Sequence, residues 1–204
     1  MALLNVAATA HCAPAPGSSA WRNTVVVLIT CLGLAATVDD APAATSRADE
    51  YRVKAAFVYN IARFVDWPSA AFTDAGAPVV VCVLGVDPFG SALDDALQGR
   101  TVKGRPVTIR RSHDLPAGCH VVFIAFSEHK RVEDIIDHLG STPVLSISEV
   151  DRFTQRGGII GLTMDGSYVR FDINATAAER ANLIMSARLL ALAASVRGAG
   201  GAGR

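Results

Sequence analysis

The stretch Val79-Val80-Val81-Cys82-Val83-Leu84-Gly85 constrains the fold of this chain more than any other. It is apolar at every position up to its glycine stop. It therefore lacks the alternation of a strand with one wet face and reads as a strand covered on both faces. Such strands pair in parallel and are joined by crossover helices, which must then lie on either side of a central sheet. Val121-Val122-Phe123-Ile124-Ala125-Phe126 repeats the pattern.

The helices come from the segments between. Val53, Phe57, Ile61 and Phe64 recur at spacings of three and four and predict a helix over Glu50 to Val65. Trp67-Pro68 ends it, because proline disfavours the helical conformation in the residue before it. Asp87-Pro88 reads as an N-cap and first-turn proline of a helix reaching about Leu97. A basic loop, Gly99 to Gly104, leads into a short strand over Pro106 to Arg110. Ser127 is expected to cap a helix whose inner face carries Val132, Ile135, Ile136 and Leu139.

Val144 to Ile147 reads as a fourth strand, followed by a short helix opened by Ser148 and Asp151. Residues 157–162 and 168–173 flank Asp165-Gly166, a hairpin signal. Thr176-Ala177-Ala178-Glu179 opens a last helix with Leu183, Ala187, Leu190 and Ala194 along one face. Together these predict one α/β domain over residues 44–197. It is a three-layer sandwich with a mostly parallel central sheet, helices on both faces, and a C-terminal hairpin and helix. From Gly198 to Arg204 the glycine-rich tail is expected to be disordered.

Upstream, the apolar run Val25 to Ala36 follows Arg22 and precedes the small-residue stretch Asp40-Ala41-Pro42-Ala43-Ala44. This is the anatomy of a signal peptide, with cleavage expected after Ala43. The run is well short of the roughly 20 residues that span a bilayer. The mature protein is therefore expected in the periplasm, carrying only Cys82 and Cys119 of the four cysteines. An even number in an oxidising compartment predicts a single disulfide; two separate buried thiols are the alternative.

Nineteen basic side chains balance nineteen acidic ones, so the chain has no overall electrostatic footprint for nucleic acid. Gly-x-Ser-x-Gly, a Walker loop, His-Glu-x-x-His and Cys-x-x-Cys are all absent from the sequence. His113, His120, His129 and His138 lack the close helical spacing of a metal pair. Asp94-Asp95 and Glu133-Asp134 are adjacent on presumed helices and so diverge. No catalytic residue, metal ligand or cofactor is expected.

What remains is a polar and aromatic set at the element ends: Tyr59, Asn60, Arg63 and Trp67, with Arg170 and Asn174 near the other end of the chain. Arg63, Trp67, Arg170 and Asn174 are candidates for holding a small anionic or aromatic ligand, through a guanidinium fork beside an indole. Each also has a purely structural reading, Trp67 as a core aromatic and Asn174 as a turn residue.

Three stretches combine into a broader pattern: Tyr51-Arg52-Val53-Lys54-Ala55-Ala56-Phe57 running into Asn60-x-x-x-Phe64-x-x-Trp67-Pro68; Gly157-Gly158-x-Ile160; and Val169-Arg170-Phe171-Asp172-Ile173-Asn174. Cys82-Val83-Leu84-Gly85 with Pro88-Phe89-Gly90, and Cys119-His120-Val121, agree in order. From about Glu50 to Val196 the chain resembles the YfiR family of periplasmic proteins. The resemblance implies a three-layer α/β fold, often dimeric, without enzymatic activity. It also implies repression of a membrane-bound diguanylate cyclase by holding that enzyme's periplasmic sensor domain, which lowers cyclic di-GMP and restrains biofilm formation.

Redox state is implicated in that switch. Cys82 and Cys119 match one cysteine pair of such members; a second pair has no counterpart here. Two competing readings come from other classes: a periplasmic small-ligand-binding module feeding a histidine kinase or transporter, and an envelope scaffold.

Overall fold

The computed structural model describes residues 41–115 and 117–198, so the signal-peptide reading falls almost wholly outside the described residues, as do tail residues 199–204. Five helices and ten strands make up the described chain. In order they are α1 (Ala41–Arg63), β1 (Val65–Asp66), β2 (Val79–Leu84), α2 (Ala92–Leu97), β3 (Thr101–Val102), β4 (Arg105–Ser112) and β5 (Val121–Ile124). There follow α3 (Val132–Leu139), β6 (Leu145–Ser148), β7 (Ile160–Asp165), β8 (Tyr168–Asn174), α4 (Ala175–Arg180), β9 (Ile184–Met185), α5 (Ala187–Leu192) and β10 (Ser195–Arg197).

Eight strands form one sheet in the order β10-β8-β7-β6-β5-β2-β4-β3, parallel except where β7 meets β8 and β3 meets β4. β2 lies between β4 and β5, and all six of its residues are buried. Its side chains alternate between two cores. Val79, Val81 and Val83 pack with α1, α2, α4 and α5 on one face. Val80, Cys82 and Leu84 pack with α3 and Phe153 on the other. The three-layer sandwich with helices on both faces and a C-terminal hairpin is what the chain forms.

Several local expectations are corrected. Helix α1 is described from Ala41, well upstream of its expected start at Glu50; Pro42 stands in its first turn, where a missing N–H costs nothing. Its buried face is also turned from the one expected: Tyr51, Lys54, Ala55, Val58, Ile61 and Ala62 are buried, whereas Val53 is 43% exposed. The small side chains of Ala55 and Ala62 let the helix lie close on the sheet, which a count of large apolar residues overlooks.

Asp87 caps no helix. Its Oδ1 accepts the N–H of Phe89 at 2.8 Å, and α2 starts only after Ser91. Ser127 sits in a 3-10 turn, and α3 begins after Arg131. The helix expected after Ser148 is a run of turns, 151–157, because the Ser148 hydroxyl donates back to Ile124 O while accepting the N–H of Val150. The loop Gly99 to Gly104 contains strand β3, joined to β4 by a two-residue turn in which Lys103 and Gly104 both take positive φ.

The largest correction concerns the C-terminal helix, which is two helices with a strand between. α4 ends in a paired closure: Leu183 N–H donates to Ala178 O at 2.9 Å and Asn182 N–H to Glu179 O at 2.9 Å, with Asn182 at φ 53°. This is the Schellman arrangement, with asparagine as the left-handed residue. Ile184 and Met185 then pair antiparallel with Asp66 and Val65, and Ser186 caps α5 through the N–H of Leu189.

Candidate functional site

At the carboxyl ends of the parallel strands, three loops lie side by side, each following a buried strand. Gly85 takes φ 93°, and a side chain there would overlap the hydroxyl of Ser127 and the side chain of Glu128. That close approach lets Ser127 Oγ accept the N–H of Val86 at 3.0 Å, tying the loop after β2 to the loop after β5. Arg111 steadies the same end, reaching Asp87 at 2.6 Å, Asp94 at 2.5 Å and the carbonyl of Gly90 at 3.1 Å. On this braced base Val86 is 65% exposed and Phe126 is 55% exposed, the latter stacked on the His129 ring at 5.1 Å. Two large apolar side chains are thus presented to solvent from loops tied to one another.

Beneath the loop after β6 lies a buried ionic cluster. The Lys54 ammonium, only 3% exposed, is held between the carboxylates of Glu50 and Glu149. Tyr51 donates its hydroxyl to Glu149 Oε1 at 2.7 Å and meets Phe89 edge-on at 5.6 Å. Burial, and then the carboxylate it bonds, push the Tyr51 phenol well above its ordinary value, so it remains a donor. The cluster pins α1 to the carboxyl end of the sheet, and all its polar groups are paired; it is an anchor.

The amino ends of the strands carry the disulfide. Cys82 and Cys119 are bonded, with Cα atoms 5.9 Å apart, linking the middle of β2 to the residue two before β5. Beside it His120, 7% exposed, accepts the N–H of Val80 on Nδ1 at 3.1 Å and reaches Ala71 O from Nε2 at 3.0 Å. A carbonyl only accepts, so the proton resides on Nε2 and the imidazole is neutral. Burial holds the ring below its ordinary value of 6.5; the bond to Ala71 opposes this and the charge of Arg105 adds to it.

The unfolded chain thus binds a proton here that the native protein does not. The stability associated with neutral His120 is complete above 6.5 and is lost as pH falls below it. NMR titration of the imidazole is expected to show His120 still neutral at a pH where an exposed histidine is half charged. A ring titrating at or above 6.5 would contradict this geometry.

The four residues singled out for ligand binding are not gathered into one site. Trp67 donates its indole N–H to His120 O at 3.1 Å and packs on the core at the amino end. Arg63 is exposed and lies 5.5 Å from the Tyr59 ring centroid. Arg170 alternates with core-facing Val169 and Phe171, so it lies on the opposite face of the sheet, paired with Asp165 at 3.4 Å. Asn174 caps α4, its Oδ1 accepting the N–H of Ala177 and its Nδ2 donating to Thr154 O, both at 3.0 Å.

Besides its bond to His120, Trp67 lines one cleft with Phe72, Lys103 and Arg105. Of these, Lys103 belongs to the Gly99 to Gly104 segment, read from sequence only as a basic loop before a strand. Among the described residues no helix is long and apolar enough to cross a membrane, and no group of three or more His, Cys, Asp or Glu could hold a metal ion. Compared with known families, residues 51–194 match a family model described as YfiR/HmsC-like.

Proposed function

The chain belongs to the YfiR/HmsC-like family, and on that premise we propose that it is a periplasmic regulatory binding protein that represses a membrane-bound diguanylate cyclase. It does so by holding the periplasmic sensor domain of that enzyme, keeping cyclic di-GMP low and biofilm formation restrained. The observation that carries this reading is the family match, which takes in every strand of the sheet except the terminal β10. Repression by binding alone is a shift of population: the regulator binds the resting conformation of the cyclase more tightly than the active one. Carrying an enzyme from almost fully active to almost fully resting takes a preference on the order of 10⁴-fold.

Val86 and Phe126 are the contact residues we assign to the cyclase. Their loops are braced by Ser127 and Arg111, so little ordering is needed on docking. A crosslinked pull-down of the protein from its own periplasm and membranes is expected to capture an integral membrane diguanylate cyclase. A Val86→Glu/Phe126→Glu variant with an unchanged melting temperature is expected to lose that capture by at least about tenfold, since buried apolar anchors dominate such interfaces. Capture of a sensor kinase, of a transporter or of nothing, with no rise in cyclic di-GMP on deletion, would overturn the reading.

A further inference from the structure

We propose that the cleft between Trp67, Phe72, Lys103 and Arg105, at the amino ends of β2 and β4, binds a small aromatic carboxylate. The cleft has a volume of about 260 Å³, with Val79 and Val102 among its lining and Asp66 as its one carboxylate. That is smaller than the ~300 Å³ at which pockets for drug-sized ligands begin. A single ring bearing one acidic group suits it; a nucleotide does not.

Arg105 is the recognition group. Its Nη1 donates to the carbonyls of Asp74 and Ala77, each at 2.9 Å, and its guanidinium lies 3.8 Å over the Phe72 ring. The side chain is therefore fixed before any ligand arrives, while Nε and Nη2 have no protein acceptor among the described residues. Those two N–H groups form the edge that takes a carboxylate in bidentate fashion. The platform behind them is equally fixed, because Phe72 stacks on His120 with ring centroids 4.4 Å apart, and both His120 ring nitrogens are engaged.

Lys103 supplies a second, exchangeable cation. Its pair with Asp66 spans 2.7 Å between side chains 45% and 53% exposed, and exposed pairs of that kind are weak enough to re-form on a ligand. Trp67 supplies specificity for a ring. Its N–H is already spent on His120 O, so the indole offers the cleft only its carbon surface, against which an aromatic ring packs. An aliphatic acid meets the cations without filling that surface, and a neutral ring fills it without meeting the cations.

The cleft and the Val86–Phe126 surface lie at opposite ends of the same strands. Ligand binding is tested without the cyclase, so failure of either proposal leaves the other standing. The full chain, labelled with ¹⁵N, is titrated with benzoate, with benzamide as the neutral isostere and acetate as the ringless acid; Trp67→Phe identifies the Trp67 indole signal.

Saturable shifts at the Trp67 indole and the Lys103 amide with benzoate are expected, with affinity at least about tenfold weaker for benzamide and for acetate, as one lost charged contact or ring contact implies. Arg105→Gln is expected to weaken benzoate binding about tenfold or more. Lys103→Gln is expected to weaken it about threefold, and it keeps the test decisive if the Arg105 variant fails to fold. Equal affinity for benzoate and benzamide, shifts that map elsewhere, or benzoate binding unchanged in Lys103→Gln and in a folded Arg105→Gln would overturn the proposal.

Discussion

Reducing the Cys82–Cys119 bridge is expected to lower the unfolding free energy by about 4 kcal/mol, the loop-closure value for cysteines 37 residues apart. The bridge joins a fully buried strand of the sheet to the turn that launches β5, and Cys82 is 0% exposed. Much of its effect lies in the unfolded chain, where it forbids the separation of β2 from β5 and removes conformations that would otherwise favour unfolding. A domain of this size has about 5–15 kcal/mol in total, so the reduced protein is expected to stay folded at moderate temperature with a much smaller margin.

Urea titrations of the oxidised protein, the reduced protein and a Cys82→Ala/Cys119→Ala variant test this. The reduced protein and the variant are expected to have similarly lowered midpoints. A loss below about 1 kcal/mol would show that native-state strain or residual unfolded structure cancels the constraint. Among the described residues this is the one disulfide, so it is the loop through which thiol oxidation acts on the stability of the described domain.

Glu149→Ala is expected to cost about 3–5 kcal/mol, the range found when one partner of a buried ion pair is removed. Glu149 has two bonds to lose. Its Oε2 holds the Lys54 ammonium, which is 3% exposed, and its Oε1 accepts the Tyr51 hydroxyl at 2.7 Å. Without it, the one carboxylate left to Lys54 is Glu50, whose side chain is 29% exposed, and the phenol loses its acceptor. The charge is then left half-compensated in a site water reaches poorly.

The double variant Lys54→Met/Glu149→Gln separates the two contributions. It removes the buried Lys54–Glu149 pair, leaving only the partly exposed Glu50 carboxylate, while keeping an acceptor for Tyr51, so it is expected to recover most of the loss. Calorimetric unfolding of the three proteins decides the matter. If Glu149→Ala unfolds within about 1 kcal/mol of the parent, the cluster is solvated and does not anchor α1.

The parts of the fold that were legible in the sequence are those coded over a few residues. The apolar runs ending in Leu84 and Ile124, and the two-residue turn after Asp165, announce their own conformations because burial on both faces and turn geometry leave a local imprint. Gly158 of the Gly157-Gly158 motif belongs here too: its α-carbon lies so close to the Phe153 ring that any side chain would overlap it. The break at Asn182 was also written locally, in an asparagine placed to end a helix and a serine placed to start the next. The 3.6-residue spacing of Leu183, Ala187, Leu190 and Ala194 concealed it, since a strand of two residues barely disturbs such a pattern.

The sequence by itself determined that the chain builds a mostly parallel sheet between two helical layers, and it placed Cys82 inside one strand and Cys119 just before another. Only the tertiary structure decided which face of α1 is buried, that Lys54 is buried there with Glu149 beside it, and that Trp67 shares a cleft with Lys103 and Arg105, with Arg170 on the far side of the sheet. The division has one physical cause. Backbone conformation and the covering of a strand are governed by neighbours in sequence, whereas which side chains meet depends on strand order and on how closely helices approach. Those are settled by packing free energy summed over residues far apart in the chain.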